Sequence, residues 1–336
     1  MKNLKLWLYI VLVSFVVRAL IFVYSIYSPI NIADEQMFFI ESGDSLGMIT
    51  EQLSAQKIIN NAFDLKLYGR LSGKAGQIKA GQYLLNDQMT AQTMLEKFVQ
   101  GDVFYHQLVV PEGWTLKQAI TVIQQHPEIE TTFAADDSAS IQEIAGTDFY
   151  PEGMFFPDTY NFAEGTTDRE ILVQGFKLMA EVLEQAWPQR DVGLPYESPY
   201  EVLIMASIVE KETALASERE MIAGVFIRRI QQNMRLQTDP TVIYGLGERF
   251  NGNLTVQDLR KDTPYNTYTN SGLPPTPIAL PGRESILASL HPDQGSTLYF
   301  VARGDGGHQF SDTLEEHNQA VRRYQLNSQP DEDNDD

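Results

Sequence analysis

Cysteine is absent from all 336 residues. Disulfides, thiolate catalysis and cysteine-ligated metal sites are therefore excluded. Basic residues are scarce too: 25 Lys and Arg stand against 45 Asp and Glu, a formal net charge of −20. Affinity for phosphate backbones rests on neutralisation by Lys and Arg, so no nucleic-acid partner is expected. Three catalytic signatures are missing: His-Glu-x-x-His, Gly-x-Ser-x-Gly and the P-loop. His291, His308 and His317 lack short ligand spacing. Neither a metal nor another cofactor is expected.

One long hydrophobic run is present. Leu4 to Tyr27 is almost wholly apolar, long enough to cross a bilayer as one helix. Lys2 and Lys5 precede it, whereas Asp34 and Glu35 follow. The positive-inside rule then predicts a cytoplasmic N-terminus (1–5), a transmembrane helix (6–27) and everything beyond about residue 30 outside. A cleaved signal peptide is the alternative, but the run exceeds a typical h-region and no clear small-x-small site follows. Arg18 is out of place, since Arg at a helix centre costs about 2.5–3.5 kcal/mol on insertion scales. Snorkelling to the interface is expected for it, or else a partner helix.

After this run, Met37–Ile40 reads as a strand and Gly43-Asp44-Ser45 as a turn with a cap. Leu46, Ile49 and Leu53 then recur at helical spacing. A second helical pattern carries Phe63, Leu67 and Leu71. Gln82–Leu85 follows as a strand, and Thr90 opens a helix with Met94, Leu95 and Phe98. The strand, Gly-Asp-Ser-Leu and helix at 36–101 resemble a LysM-like module, which implies binding of N-acetylglucosamine-containing glycans. Val110 to Leu116 repeats the Gly-x-(Ser/Thr)-Leu entry into a helix, either as a duplicated unit or as common turn chemistry. Residues 102–148 read as a strand–helix connector, with a low-bulk boundary at Ala134–Ser140.

The second domain is expected at 149–326, and the acidic tail at 327–336 is expected to be disordered. Tyr150–Tyr160 is dense in aromatic residues and suits a sugar-contact surface; Asp158 within it is equally a turn residue. Thr166-Thr167-Asp168 opens a long amphipathic helix that Pro188 stops. Ser198, Pro199 and Glu201 are signals for the start of another helix, with a capping box. Along it Met205, Ile208 and Val209 lie seven, four and three residues before Glu212, on the same face. A carboxyl against apolar surface has its charged form disfavoured and tends toward a general acid. Glu210 follows the smaller, more polar row of Leu203, Ala206 and Ser207, so geometry favours Glu212; both could instead be solvated helix-end carboxylates. Ser217–Glu220 reads as a second capping box, leaving Glu212 at a break between helices. Thr238 or Asp239 is then an N-cap beside Pro240, its polar groups alternatively binding sugar hydroxyls. The prolines of Gly272–Gly282 predict a stiff extended wall beside the Thr263–Tyr268 loop.

Several of these stretches carry a resemblance. Ala-Ser-Ile-Val-Glu-Lys-Glu-Thr, Arg-Leu-Gln-Thr-Asp-Pro-Thr-Val-Ile-Tyr-Gly, Tyr-Asn-Thr-Tyr, Gly-Leu-Pro-Pro-x-Pro-Ile and Glu-Gly-Met-Phe-Phe-Pro-Asp-Thr-Tyr resemble motifs of the endolytic murein transglycosylases, the YceG-like family. The likeness runs from the apolar helix to about residue 325. It implies an α+β protein: one N-terminal transmembrane helix, the LysM-like α+β module and a larger mixed α/β catalytic domain. The family's catalytic glutamate falls on Glu212. Beside it, Gln237, Thr238, Asp239, Asn266 and Tyr268 read as substrate-binding residues. The implied reaction cleaves the MurNAc–GlcNAc bond within peptidoglycan strands and leaves 1,6-anhydro ends. A place in the bacterial inner membrane with the catalytic domain periplasmic, action on nascent strands and partnership with peptidoglycan synthases are implied as well. Two alternatives stay open: a muramidase-type hydrolase using Glu212 with Asp239, and a non-catalytic wall-binding scaffold.

Overall fold

The computed structural model describes residues 2–32 and 34–326; the expected tail at 327–336 lies outside them. Contacts divide the chain into two units. One holds residues up to 107 together with 161–165, and the other holds 108–160 and 166–326. The division thus falls at 107/108 and not at 148/149, so most of the expected connector belongs to the second unit. Fold class is mixed α/β: helices dominate, and the sheets are two-stranded.

In the first unit, α1 (Lys2–Tyr27) includes the one candidate membrane span among the described residues, Leu4–Tyr27, by length and composition. Strand β1 (Gln36–Ile40), helices α2 (Leu46–Ala55) and α3 (Ala62–Leu71), strand β2 (Gly81–Leu85) and α4 (Ala91–Gln100) follow. β1 and β2 pair antiparallel, Gln36 opposite Leu85 and Ile40 opposite Gly81. Phe38, Ile49, Leu53, Tyr83, Met94 and Phe98 form the core, joined by Ile26 and Ile30. Arg18 forms an ion pair with the buried Asp64, which also accepts from Ser25 Oγ at 2.9 Å. One expectation is corrected. The α3 row is rotated: Phe63 and Leu71 are exposed, whereas Asp64, Leu65 and Gly69 are buried. The paired Asp64 and the close approach at Gly69 decide this. A Cβ on Gly69 would lie 2.5 Å from Leu46 Cδ2.

Beyond β3 (His106–Val109) come α5 (Leu116–Gln125), β4 (Ile129–Glu130), α6 (Ser138–Ala145), β5 (Thr159–Phe162) and β6 (Thr166–Thr167). Then follow α7 (Asp168–Ala186), α8 (Pro199–Glu212), α9 (Arg219–Gln231), α10 (Asp239–Leu246), α11 (Val256–Arg260) and α12 (Arg283–Leu290). The hairpin β7 (Tyr299–Ala302)–β8 (His308–Ser311) and α13 (Leu314–Val321) complete the described chain. The core of the second unit is helical. Met179 and Val182 of α7 meet Met205, Ile208 and Val209 of α8, Ile222 and Phe226 of α9, and Ile286 and Leu290 of α12. Burial of α8 on all sides, from Val202 to Val209, makes it the central rod. Thr115 and Thr167 form capping boxes with Gln118 and Glu170, fixing where α5 and α7 begin.

Two expected capping boxes do not form. Ser198 occupies the N-cap of α8 without a side-chain cap bond, and Glu201 instead accepts from Glu197 N at 2.5 Å. Around Ser217 the chain makes a short tight turn over Ala216–Glu218, where buried Glu218 is drawn to His308. The Tyr150–Tyr160 stretch, read as a sugar-contact surface, is largely core, with Glu152, Phe155 and Tyr160 buried; Ile278, Ala279 and Leu280 of the proline-rich wall are buried as well. Asp158 lies immediately before β5, where its carbonyl accepts from Val110 N at 2.9 Å and its carboxylate from Thr159 N at 2.7 Å.

Candidate functional site

Glu212 is the last residue of α8, so its carboxyl stands at the negative end of the helix dipole and against the buried stripe of Met205, Ile208 and Val209. Thr213 breaks the helix with extended backbone, and the side chain opens into a cleft of about 380 Å³. Burial pushes the Glu212 carboxyl above the ordinary carboxylate range, and the charge of Asp239 adds to this. The hydrogen bond from Thr238 and the charges of His308 and Arg229 act the other way and do not overcome it.

The opposing wall is the Gln237–Asp239 turn. Gln237 has φ +53°, a left-handed conformation unusual for a residue with a side chain. Two bonds to Thr267 hold it: Gln237 N donates to the carbonyl at 3.2 Å and Thr238 N to the hydroxyl at 3.1 Å. Thr238 occupies the N-cap of α10 but does not cap it. Its hydroxyl donates to Glu212 Oε1 instead. A local helix rule is thus broken where the tertiary site claims the side chain. Asp239 is exposed and accepts from Tyr268 Oη at 2.6 Å.

Of the residues expected at the site, Glu212, Gln237, Asp239 and Tyr268 line the cleft, with Thr238 buried directly beneath. Asn266 stands apart. It is fully buried; Nδ2 donates to the carbonyls of Leu259 at 3.0 Å and Lys261 at 2.7 Å, while Oδ1 accepts from Tyr268 N at 2.8 Å. Its amide is spent on shaping the loop that carries Thr267 and Tyr268, leaving no surface for a substrate. Glu210 is also spoken for. Its Oε2 accepts from Gly282 N at 3.1 Å and Ser285 Oγ at 2.7 Å, tying α8 to the start of α12.

Sequence reasoning missed the far wall. His308, His317, Arg229 and Tyr299 share the cleft with Glu212, although nearly a hundred residues separate Glu212 from His308. His308 is held twice by Glu218: its backbone N donates at 2.9 Å, and Nδ1 lies 2.7 Å from Oε2. Burial pushes the Glu218 carboxyl up, but the two bonds from His308 and the nearby Arg303 outweigh it, so it sits below the ordinary range. An ionised carboxylate only accepts, which places a proton on His308 Nδ1. Arg229 is buried, donating to Leu298 O at 2.7 Å and Leu236 O at 2.6 Å. Among the described residues no group of three or more His, Asp or Glu is placed to hold a metal.

A second raised carboxyl was missed as well. Glu152 is 2% exposed, and burial pushes it up to about 7. Both its oxygens are engaged, by Leu116 N at 2.7 Å and Tyr244 Oη at 3.0 Å.

Comparison with known proteins adds to this geometry. A family model described as the YceG-like family matches residues 38–323. A protein of Bacillus subtilis (strain 168) named endolytic murein transglycosylase is 32% identical over 303 residues, 85% of this chain and 83% of the relative. A Streptococcus pneumoniae (serotype 2, strain D39) protein of the same name is 27% identical over 319 residues, 85% of this chain and 57% of that longer relative. A crystal structure of a YceG-like protein from Listeria monocytogenes superposes with a TM-score of 0.54 at 33% identity, over 85% of this chain and 99% of that one.

Proposed function

Since the chain belongs to the YceG-like family, we propose that it is an endolytic murein transglycosylase with Glu212 as its catalytic acid. One observation carries the residue assignment: a single desolvated carboxyl, hydrogen-bonded by Thr238, opens onto a polar cleft that it shares with Asp239, Tyr268 and His308. The substrate is a peptidoglycan glycan strand, cut at the β-1,4 bond from MurNAc to GlcNAc.

In the first half-reaction, protonated Glu212 gives its proton to the glycosidic oxygen as the C1–O bond breaks and C1 gains oxocarbenium character. The neighbouring Asp239 charge both favours the protonated acid beforehand and stabilises the positive carbon afterwards. In the second half, the muramic C6 hydroxyl attacks C1, and its proton passes to the Glu212 carboxylate. The acid is regenerated and a 1,6-anhydro end remains. No water is consumed, so one carboxyl acting twice suffices, whereas a hydrolase would require a second carboxylate to activate water or attack carbon. With Nδ1 committed to Glu218, the other ring nitrogen of His308 is left to hydrogen-bond a substrate hydroxyl. Gln237, Asp239 and Tyr268 position the sugar, and Asn266 sets the loop behind them.

The apolar run at Leu4–Tyr27 supports a single-pass anchor, N-terminus inside and the rest outside, in the inner membrane. The 36–101 module, LysM-like in our reading, would hold glycan near that anchor, where clipping of nascent strands beside synthases terminates their elongation. The test is mass spectrometry of products from uncross-linked strands incubated with the full chain in detergent. Internal 1,6-anhydro ends that vanish in Glu212→Gln, with unfolding unchanged, are expected. Reducing ends instead would make the enzyme a hydrolase and Asp239 its second carboxylate, and no cleavage by the folded protein would leave a wall-binding scaffold.

A further inference from the structure

A cavity larger than the one that holds Glu212 lies in the second unit. It measures about 840 Å³ and is lined by Tyr150, Tyr244, Phe250, Ile243, Pro240 and Lys211, among others, with Glu152 at its wall. Ligand sites generally span roughly 300–1,000 Å³ and combine apolar walls with a few fixed polar groups. This cavity has both. Tyr244 is fixed from two sides, by its hydroxyl on Glu152 at 3.0 Å and by its ring edge-on to Tyr265 with centroids 4.9 Å apart. Glu152 is in turn fixed by Leu116 N, at the entry to α5. Lys117 pairs with Glu248, and Lys211 Nζ donates to Gly113 O at 3.0 Å, so the rim is polar and tethered.

Its position matters as much as its lining. Lys211 lines this cavity and Glu212 the catalytic cleft; Pro240 lines this cavity and Asp239 the cleft. The end of α8 and the start of α10 therefore form a ridge with a site on each flank. We propose that the cavity is a second saccharide-binding site, taking a further stretch of the same N-acetylated β-1,4-linked strand that Glu212 cuts. The inference rests on the function proposed above and deepens it. Aromatic faces at Tyr150, Tyr244 and Phe250 accept the apolar faces of pyranose rings, and the tethered polar rim meets their hydroxyl and acetamido groups. Occupation of both flanks requires chain on both sides of the cut bond, which an attack within a strand provides and an attack at a strand end does not.

Calorimetric titration of the full chain in detergent, carrying Glu212→Gln to prevent turnover, with chitohexaose as the probe tests this. Phe250→Ala should weaken binding about tenfold. Ala135→Trp, which fills the mouth of the cavity from an exposed position, should do the same without touching the core. In the active background, both changes should lower the ratio of kcat/KM on long strands to kcat/KM on the shortest cleaved strand by about tenfold. Unchanged binding and an unchanged ratio in both variants, or no binding of the probe at all, would overturn the proposal. The product spectrum of the parent protein reports separately on the function itself: anhydro ends with no length effect would sink the second site and leave the transglycosylase standing.

Discussion

Thr238→Val removes the hydroxyl donated to Glu212 while keeping the shape of a side chain that is 2% exposed. That bond favours the carboxylate and so works against burial, which pushes Glu212 up. A hydrogen bond to a charged group contributes about 1.5–3 kcal/mol. About 1.4 kcal/mol moves a titration by one pH unit, so even partial compensation by water leaves a displacement of about one unit. The sign follows from the role. In the proposed role of acid, Glu212 works protonated, so kcat/KM should fall as pH rises through its titration, and loss of the bond raises that titration further. The alkaline limb should therefore move to higher pH in Thr238→Val, by about one unit, and stay in place in Thr238→Ser, which keeps the donor. The assay is kcat/KM on uncross-linked strands across the pH range for the three proteins. An alkaline limb that does not move, or moves to lower pH, would refute the reasoning, because the titrating acid would then not be the group that Thr238 touches.

Other changes separate the neighbouring carboxylates and the far wall. Glu210→Gln should cost about 1–3 kcal/mol of stability by weakening the tie to Gly282 and Ser285, with the same cleavage products; loss of cleavage at unchanged melting temperature would reverse the roles of Glu210 and Glu212. His308→Ala should lower kcat/KM about tenfold, the worth of one hydrogen bond, and added imidazole should restore part of it; no rescue would reduce the ring to packing. Glu152 is pushed up to about 7 from the ordinary 4.5 by burial, so the folded state holds a proton that the unfolded chain releases. Its stabilisation is complete below about pH 4.5 and is lost as pH rises to about 7, amounting to about 3 kcal/mol. Urea unfolding followed over that window should show this slope and lose it in Glu152→Gln; the same slope in the variant would exclude Glu152 as its source.

Local patterns explain what was legible. Ser45 and Thr90 cap α2 and α4 where expected, and Thr167 opens α7, because an N-cap satisfies backbone groups of its own segment. The side-chain period along α8 put Glu212 on the apolar face, which needs only the geometry of one helix. Where partners are distant, the same rules failed. Phe63 and Leu71 have the spacing of a buried row, yet Asp64 faces inward to Arg18 and the row turns outward. Ser198 has every mark of a capping box, but Glu201 bonds to Glu197. Asn266 looks like a sugar contact until three backbone carbonyls claim its amide.

The sequence by itself determined the apolar helix, most element boundaries, the family motifs and the helix face on which Glu212 lies, since each depends on residues within a few turns of one another or on runs of the chain. Tertiary structure alone decided the chemistry around that carboxyl. It turned Thr238 from a cap into a donor, brought His308 and Arg229 into the cleft, buried Glu152, and opened a second cavity across the ridge. The physical reason is range. Capping and periodicity act over three or four residues, whereas desolvation, charge pairing and cavity shape depend on whatever the fold packs alongside, however far away it lies in the chain.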